Sequence, residues 1–191
     1  TTEIYTLSLH DALPILKAEL TTDHPLDFIG RARKQKILID RDFITEQLQV
    51  DNRQLSYQQV ENSFSQPNAV VNQQMLGWAC DIARQLQGDL LELYCGNGNF
   101  SLALSPYFRQ VVATELSKVS IKSAELNIRQ NQIDNLQVLA MSAEDVSAAL
   151  AQGDALKHID LNGLALNTIL VDPPRAGLDP ATVQLVSRFD D

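Results

Sequence analysis

The residues of this chain best suited to hold a ligand are two glycines, Gly96 and Gly98, in a turn between an apolar strand and a helix. The strand is 90–94 (Leu-Leu-Glu-Leu-Tyr), and the helix opens near Phe100. In an open parallel sheet a ligand lies beyond the carboxyl ends of the strands, and glycines let the backbone approach it closely. Glu115 ends the next apolar run, where its carboxylate is placed to accept hydrogen bonds from ribose hydroxyls. The pattern therefore predicts a nucleoside-binding site.

Ser101 stands where a dinucleotide-binding fingerprint has its third glycine. That fingerprint, G-x-G-x-x-G, uses the last glycine for close helix packing under a pyrophosphate. A cofactor without phosphates, S-adenosylmethionine, is therefore the favoured ligand. Two alternatives stay open, which are the nicotinamide cofactor of an NAD-dependent dehydrogenase and an ordinary strand-to-helix turn without a ligand. The presence of Glu115 disfavours the second alternative.

A second group of chemically suited residues, Asp172-Pro173-Pro174-Arg175, follows a predicted buried strand at 167–171. Each proline restricts the residue before it to extended conformations, so the segment is expected to be stiff. We expect it to hold Asp172 over the same crevice as Gly96 and Glu115, where a flipped-out base or another planar acceptor has room to stack and bond. The alternative is a strand end that only turns the chain.

Most of the chain, from about Leu16 to its end, resembles the tRNA (uracil-5-)-methyltransferases within the RNA uracil-C5 methyltransferase family. The resemblance rests on four segments, which are 58–68 (Gln-Gln-Val-Glu-Asn-Ser-Phe-Ser-Gln-Pro-Asn), 90–100, 113–115 and 171–178 (Val-Asp-Pro-Pro-Arg-Ala-Gly-Leu). It implies an α/β fold with the Rossmann-like parallel sheet of class I S-adenosylmethionine-dependent methyltransferases. The sheet is expected to be truncated at its C-terminal end and preceded by the remnant of a β-rich domain.

The resemblance also implies a function and a set of binding residues. The function is S-adenosyl-L-methionine-dependent methylation of uracil C5 in the T loop of tRNA, with a ribosomal RNA uracil as the alternative substrate. The implied partner is tRNA, and the protein is expected to be a cytoplasmic monomer. The residues that fall on cofactor-binding positions, together with the two glycines of the turn, are Gln66, Tyr94, Gly96, Gly98, Asn99, Glu115 and Asp172. Reasoning from the residues alone reaches Glu115 and Asp172 but not Gln66.

The family is expected to attack uracil C6 with a cysteine thiolate and to remove the C5 proton with a glutamate base. In the family that cysteine lies in a Ser-Cys-Asn-Pro segment after the Asp-Pro-Pro-Arg turn. The cysteines of this chain are Cys80 and Cys95, and neither lies in such a motif. Both are expected to be buried thiols that pack as small apolar groups. No catalytic residue is therefore assigned within the chain, since the nucleophile and the base are expected beyond Asp191.

The first fifteen residues have no expected counterpart in the family and resemble a translated sequencing-library adapter, so they are left out of the fold reasoning. The predicted organisation is then an adapter-like segment at 1–15, a remnant of a β-rich RNA-binding region at 16–60, and a partial methyltransferase domain at 61–191.

Composition limits the function classes. The chain has 191 residues, is 45% hydrophobic and carries a net charge of −9. The chain has no run of about 18 apolar residues, so no transmembrane helix is expected. Two cysteines make neither a disulfide framework nor a metal site. The acidic balance disfavours nucleic-acid binding, so the RNA hypothesis rests mainly on the resemblance. A basic segment, 31–36 (Arg-Ala-Arg-Lys-Gln-Lys), is either a phosphate-contacting edge or a solvated hairpin.

Periodicity predicts the elements that must position these residues. Apolar residues at 71, 75, 78, 82 and 86 have helical spacing and indicate a helix over 68–86. The side of this helix that carries Val71, Met75 and Trp78 is expected to pack into the core. The helix is expected to end before Gly88. Strands and helices then alternate, which predicts a parallel, doubly wound sheet. The strands are predicted at 90–94, 111–114, 136–139 and 168–171, and the helices at 100–104, 118–130, 144–151 and 180–187.

Overall fold

The structure is a computed structural model that describes residues 14–15, 17–19, 29–32, 35–39, 41–152 and 163–189. The chain divides into two units, 1–44 and 45–191, and each is described by itself. Within the described ranges, no helix is long and apolar enough to cross a bilayer. The adapter-like segment lies outside the described residues except for its last two.

The first unit contains a hairpin of strands β1 (Ile29–Ala32) and β2 (Gln35–Leu38). The strands pair antiparallel, with Arg31 opposite Lys36. Lys36 forms an ion pair with Asp42, with 2.6 Å between the Lys36 Nζ and Asp42 Oδ2 atoms. The described residues of the basic segment therefore lie on two paired antiparallel strands.

The next two strands, β3 (Phe43–Val50) and β4 (Arg53–Val60), form a separate two-stranded sheet. The two residues between them, Asp51 and Asn52, have φ angles of 47° and 60°. Positive φ at both central residues is the geometry of a type I′ hairpin turn, which asparagine and aspartate tolerate well. One face of this hairpin is buried in the second unit through Leu48, Val50, Leu55 and Tyr57.

The second unit is built on a four-stranded parallel sheet with the order β7-β6-β5-β8. Its strands are β5 (Asp89–Leu93), β6 (Val111–Glu115), β7 (Leu136–Ala140) and β8 (Leu166–Val171). All five residues of β5 are buried, because it is an inner strand covered on both faces. The chain adds β6 and β7 on one side of β5 and then places β8 on the other side. This reversal makes a crevice between the carboxyl ends of β5 and its neighbours.

Five helices connect and cover these strands. They are α1 (Ala69–Ala83), α2 (Asn99–Leu104), α3 (Lys118–Gln130), α4 (Ala143–Gln152) and α5 (Pro180–Val186), and a 3₁₀ turn (Ser105–Tyr107) follows α2. The predicted alternation of strands and helices is confirmed, and apart from the end of α1 the boundaries differ from the predicted ones by no more than two residues.

The face of α1 that packs inward differs from the prediction. Trp78 is 67% exposed and Val71 is 46% exposed, whereas Leu76 and Cys80 are fully buried. The buried face is made of small and medium side chains that allow close approach to α2, and the Cys80 thiol lies 3.6 Å from the main-chain oxygen of Ala103. The helix has one apolar stripe that includes Val71 and Trp78 and another that includes Leu76 and Cys80. Hydrophobicity alone does not show which of the two stripes faces the core.

The helix also ends earlier than predicted, at Ala83 with Arg84 as its C-cap residue. Gly88 therefore does not terminate it. The φ of Gly88 is 91°, and a Cβ atom there would lie 2.7 Å from the main-chain oxygen of Ala165. The glycine instead allows the segment that leads into β8 to approach the start of β5 closely.

Candidate functional site

Three of the predicted site residues share one row at the carboxyl edge of the sheet. Leu93 is in register with Thr114 of β6 and with Val171 of β8. The residues that follow these three are Tyr94, Glu115 and Asp172. Since neighbouring strands lie about 4.8 Å apart, Glu115 and Asp172 flank the first residue of the turn from opposite sides. The sheet register therefore brings together the two carboxylates that the sequence predicted.

The turn between β5 and α2 has an unusual backbone. Tyr94, Gly96 and Gly98 all have positive φ angles, of 61°, 58° and 84°. A Cβ atom on Gly98 would lie 2.4 Å from the Cδ1 atom of Leu102, whereas a Cβ atom on Gly96 would meet no atom within 4 Å. Glycine is favoured at position 98 by its positive φ, and a side chain there would displace that of Leu102. The open space at Gly96 leaves the backbone accessible to a ligand.

The Glu115 side chain is already held in position. Its Oε2 atom accepts a hydrogen bond from the Gly96 N–H at 3.0 Å, and its Oε1 atom accepts from Leu116 and Ser117 at 2.8 and 2.7 Å. A carboxylate offers about four acceptor sites, so Oε2 retains one beside the turn. The carboxylate therefore links the two strand ends and still presents an acceptor to a hydroxyl group.

Asp172 is exposed directly after β8. Tyr94 is partly buried, and burial raises the pKa of its phenol, while a hydrogen bond with Thr182 opposes this. Thr182 lies in the first turn of α5, where Asp179 accepts the Ala181 and Thr182 N–H groups at 2.9 and 3.0 Å. The Tyr94 phenol is thereby connected to α5.

Two predicted site residues lie away from this row. The Asn99 amide forms a reciprocal pair with the amide of Asn72 on α1, with both hydrogen bonds 2.9 Å long. Gln66 is partly buried in the segment between β4 and α1. No hydrogen bond among the described residues joins it to the row. Its place at the site stays a prediction.

Sequence reasoning missed Glu92, which lies between Leu91 and Leu93 in strand β5 and is 1% exposed. The Ser101 hydroxyl donates a short hydrogen bond to its Oε2 atom. Burial raises the pKa of Glu92 to about 8, a hydrogen bond from Ser101 opposes this, and the charge of Asp172 adds to the rise. An acid inside an apolar run was the available signal. Ser101 is thus the partner of a buried acid at the position where a dinucleotide fingerprint has glycine.

Both cysteines are buried, as predicted from the sequence. Cys80 is fully buried and Cys95 is 4% exposed. Burial raises the pKa of both thiols, and that of Cys95 well above its ordinary value, to which the charges of Glu92 and Glu115 also contribute. A thiolate is the nucleophilic form of cysteine. Neither residue is therefore placed or ionised to attack a substrate.

A surface cavity of about 950 Å³ lies elsewhere, at the amino ends of β6 and β7. Asn131 and Asn135 are among its lining residues. The Asn131 amide donates to the main-chain oxygen of Ser56, and the Asn135 amide donates to that of Ser105, both at 2.8 Å. These polar groups hold loops together, so the carboxyl edge of the sheet is the better candidate site.

The model of the family described as tRNA (Uracil-5-)-methyltransferase matches residues 4–191. The tRNA/tmRNA (uracil-C(5))-methyltransferase of Shewanella sediminis is 56% identical over 178 residues, which is 92% of this chain and 49% of that protein. The protein of the same name from Aeromonas salmonicida is 56% identical over 94% of this chain and 48% of its own length. The chain therefore spans about half the length of the curated relatives it matches.

Solved structures show the same fold. A Pyrococcus abyssi tRNA (uracil-54, C5)-methyltransferase in complex with S-adenosyl-L-homocysteine matches with a TM-score of 0.59 and 25% identity, over 80% of this chain and 33% of that one. A T. thermophilus 16S rRNA N2 G1207 methyltransferase matches with a TM-score of 0.57 at 15% identity, over 86% of this chain and 46% of that one. The predicted α/β methyltransferase sheet is thus confirmed.

Proposed function

The chain belongs to the tRNA (uracil-5-)-methyltransferase family, and from this premise we propose that its carboxyl-edge crevice binds S-adenosyl-L-methionine for methylation of uracil C5 in tRNA. The observation that supports this best is the Glu115 carboxylate. It is fixed by three main-chain N–H groups beside the open backbone of Gly96 and keeps an acceptor site. When bound, S-adenosyl-L-methionine supplies an electrophilic methyl group.

The roles we propose follow from the positions of the residues. Glu115 accepts from the ribose hydroxyls, and Gly96 and Gly98 let the backbone approach the cofactor. Asp172 faces both the cofactor and the incoming uracil from the other side of the turn. The three further residues, which line the first loop or order the amino-acid end of the cofactor, are Gln66, Tyr94 and Asn99.

We further propose that the 191-residue chain binds the cofactor but does not itself transfer a methyl group. Attack on uracil C6 needs a thiolate, and the burial of Cys80 and Cys95 keeps both as thiols. The required nucleophile and base are then residues outside 1–191.

The remaining proposals concern the whole protein. We propose that residues 16–60 belong to a β-rich RNA-binding region and 61–191 to the methyltransferase domain, with 1–15 as an adapter-like segment. The β1–β2 hairpin presents the basic segment that would contact tRNA phosphates. The proposed state is a cytoplasmic monomer that binds tRNA.

Calorimetry with S-adenosyl-L-homocysteine and with NAD tests the proposed cofactor. We expect S-adenosyl-L-homocysteine to bind and NAD not to bind. Glu115→Ala should weaken binding about 10- to 100-fold, since buried hydroxyls left without an acceptor cost roughly 1–3 kcal/mol. The matched control is Glu125→Ala, which changes an exposed glutamate on α3. Binding of NAD, or equal affinity in both variants, would contradict the proposal.

A further inference from the structure

One asparagine in α3 and one at its C-cap bind the main chain of β4 as a neighbouring strand would. The Asn131 amide accepts from the Ser56 N–H at 2.9 Å and donates to the Ser56 carbonyl at 2.8 Å. One helical turn earlier, the Asn127 Oδ1 atom accepts from the Gln58 N–H at 2.7 Å. These side chains thus satisfy the edge of a strand that would otherwise have unpaired polar groups.

The spacing of these contacts follows from regular geometry. Residues four apart in a helix rise by about 6 Å along its axis, and residues two apart in a strand rise by about 6.7 Å. Asn127 and Asn131 therefore match Gln58 and Ser56 in antiparallel order. The two asparagines share a residue type and bind the same strand, Asn127 from within α3 and Asn131 from its C-cap position, where the Asn131 Nδ2 atom also donates to the main-chain oxygen of Asn127 at 2.7 Å.

Asn127 differs from Asn131 because it also contacts the glycine turn. It is fully buried, and its Nδ2 atom donates to the main-chain oxygen of Asn97 at 3.0 Å. Asn97 in turn donates from its Nδ2 atom to the Gln58 carbonyl at 3.1 Å and to the Gln59 Oε1 atom at 3.0 Å. Helix, strand and turn are thus joined by a closed set of amide hydrogen bonds.

Further contacts fix the strand side of this set. The hydroxyl of the fully buried Tyr57 donates to the main-chain oxygen of Asn99 at 3.0 Å. The Ser123 hydroxyl donates to the Gln58 Oε1 atom at 3.2 Å. The Gln59 Nε2 atom donates to Glu46 on β3 at 3.0 Å. The hairpin is therefore joined to the turn by direct hydrogen bonds.

We propose that Asn127 is a positioning residue for the cofactor turn, acting through the main-chain oxygen of Asn97. This inference rests on the proposed function of the site. The turn contains two glycines with positive φ, and glycine loses more conformational freedom on ordering than other residues. A turn that is already ordered binds its ligand without that loss. The Gln58-Gln59 pair is thereby assigned a role as the anchor of the turn.

The test compares Asn127→Asp with Asn131→Asp in the full 191-residue chain. Aspartate keeps the acceptor for the strand N–H but loses the donor, and each variant adds one negative charge. Only Asn127→Asp removes a contact with the turn. We expect its affinity for S-adenosyl-L-homocysteine to fall at least 10-fold in calorimetry, whereas Asn131→Asp stays within 2-fold of the unchanged chain.

Amide NMR spectra supply a readout that a loss of stability alone would not change. The Gly96 and Gly98 amide signals should shift in Asn127→Asp and stay in place in Asn131→Asp. Gln59→Ala is a milder second variant, because Gln59 is only partly buried; it should weaken binding several-fold and shift the same two signals. This variant decides the question if Asn127→Asp does not fold.

Two outcomes separate the inference from the proposed function. If the unchanged chain binds S-adenosyl-L-homocysteine and the Asn127 and Asn131 variants bind it equally, or the glycine signals do not move in Asn127→Asp, the positioning role is wrong. If the unchanged chain does not bind S-adenosyl-L-homocysteine at all, the proposed function itself is wrong and the inference falls with it.

Discussion

Glu92 is the residue whose protonation the fold changes most clearly. Burial raises its pKa to about 8 from the ordinary value of 4.5, so between these pH values the folded chain binds a proton that the unfolded chain releases. The free energy of unfolding is therefore expected to fall as pH rises from about 4.5 to 8, by up to roughly 1.4 kcal/mol per pH unit. Urea unfolding of the chain at several pH values measures this slope.

Glu92→Gln is the variant that isolates this effect. A neutral amide still accepts from the Ser101 hydroxyl but does not titrate, so the stability of this variant should vary less with pH over the same range. Glu125→Gln, at an exposed position of α3, should keep the slope of the unchanged chain. A Glu92→Gln variant with an unaltered slope would show that another group is responsible.

At the scale of the element, the sequence predicted strands and turns better than it predicted helix faces. Glu115 and Asp172 were correctly placed at strand ends because the parallel register is a local consequence of alternating strands and helices. Asn127 was missed because its partners are distant, with Gln58 lying 69 positions earlier in the chain. Asn127 is a buried polar residue, so the spacing of hydrophobic residues does not indicate its position in the fold.

The orientation of α1 can be checked by a pair of alanine variants. Leu76 is fully buried and Trp78 is 67% exposed. Leu76→Ala is therefore expected to lower the free energy of unfolding by about 2–5 kcal/mol, as large-to-small changes in a core do. Trp78→Ala should cost only about 0.5 kcal/mol. Denaturant unfolding measures both changes in the free energy of unfolding. A larger loss for Trp78→Ala than for Leu76→Ala would show that the helix face predicted from the sequence is the buried one.

At the scale of the whole molecule, binding of the cofactor and transfer of its methyl group are expected to be separate properties. The groups proposed to bind the cofactor, among them Glu115 and Asp172, lie within a chain that spans about half of its curated relatives. The parallel sheet and the glycine turn lie within the described part of the chain. The thiols of Cys80 and Cys95, which lie in the same part, are buried. The proposed reaction also needs a thiolate that attacks uracil C6 and a base that removes the C5 proton, and burial makes both thiols unsuited to the first of these roles.

A methyl-transfer assay on unmodified tRNA tests this separation. With labelled S-adenosyl-L-methionine, the 191-residue chain is expected to give no transfer above background, and the full-length Shewanella sediminis relative serves as the positive control. Cys95 is the thiol nearest the crevice, but it is 4% exposed, and burial raises its pKa well above the ordinary value. It is therefore neutral at pH 7 and lies within the turn that would hold the cofactor. Transfer by this chain that disappears in Cys95→Ser would make Cys95 the nucleophile and overturn the argument from burial.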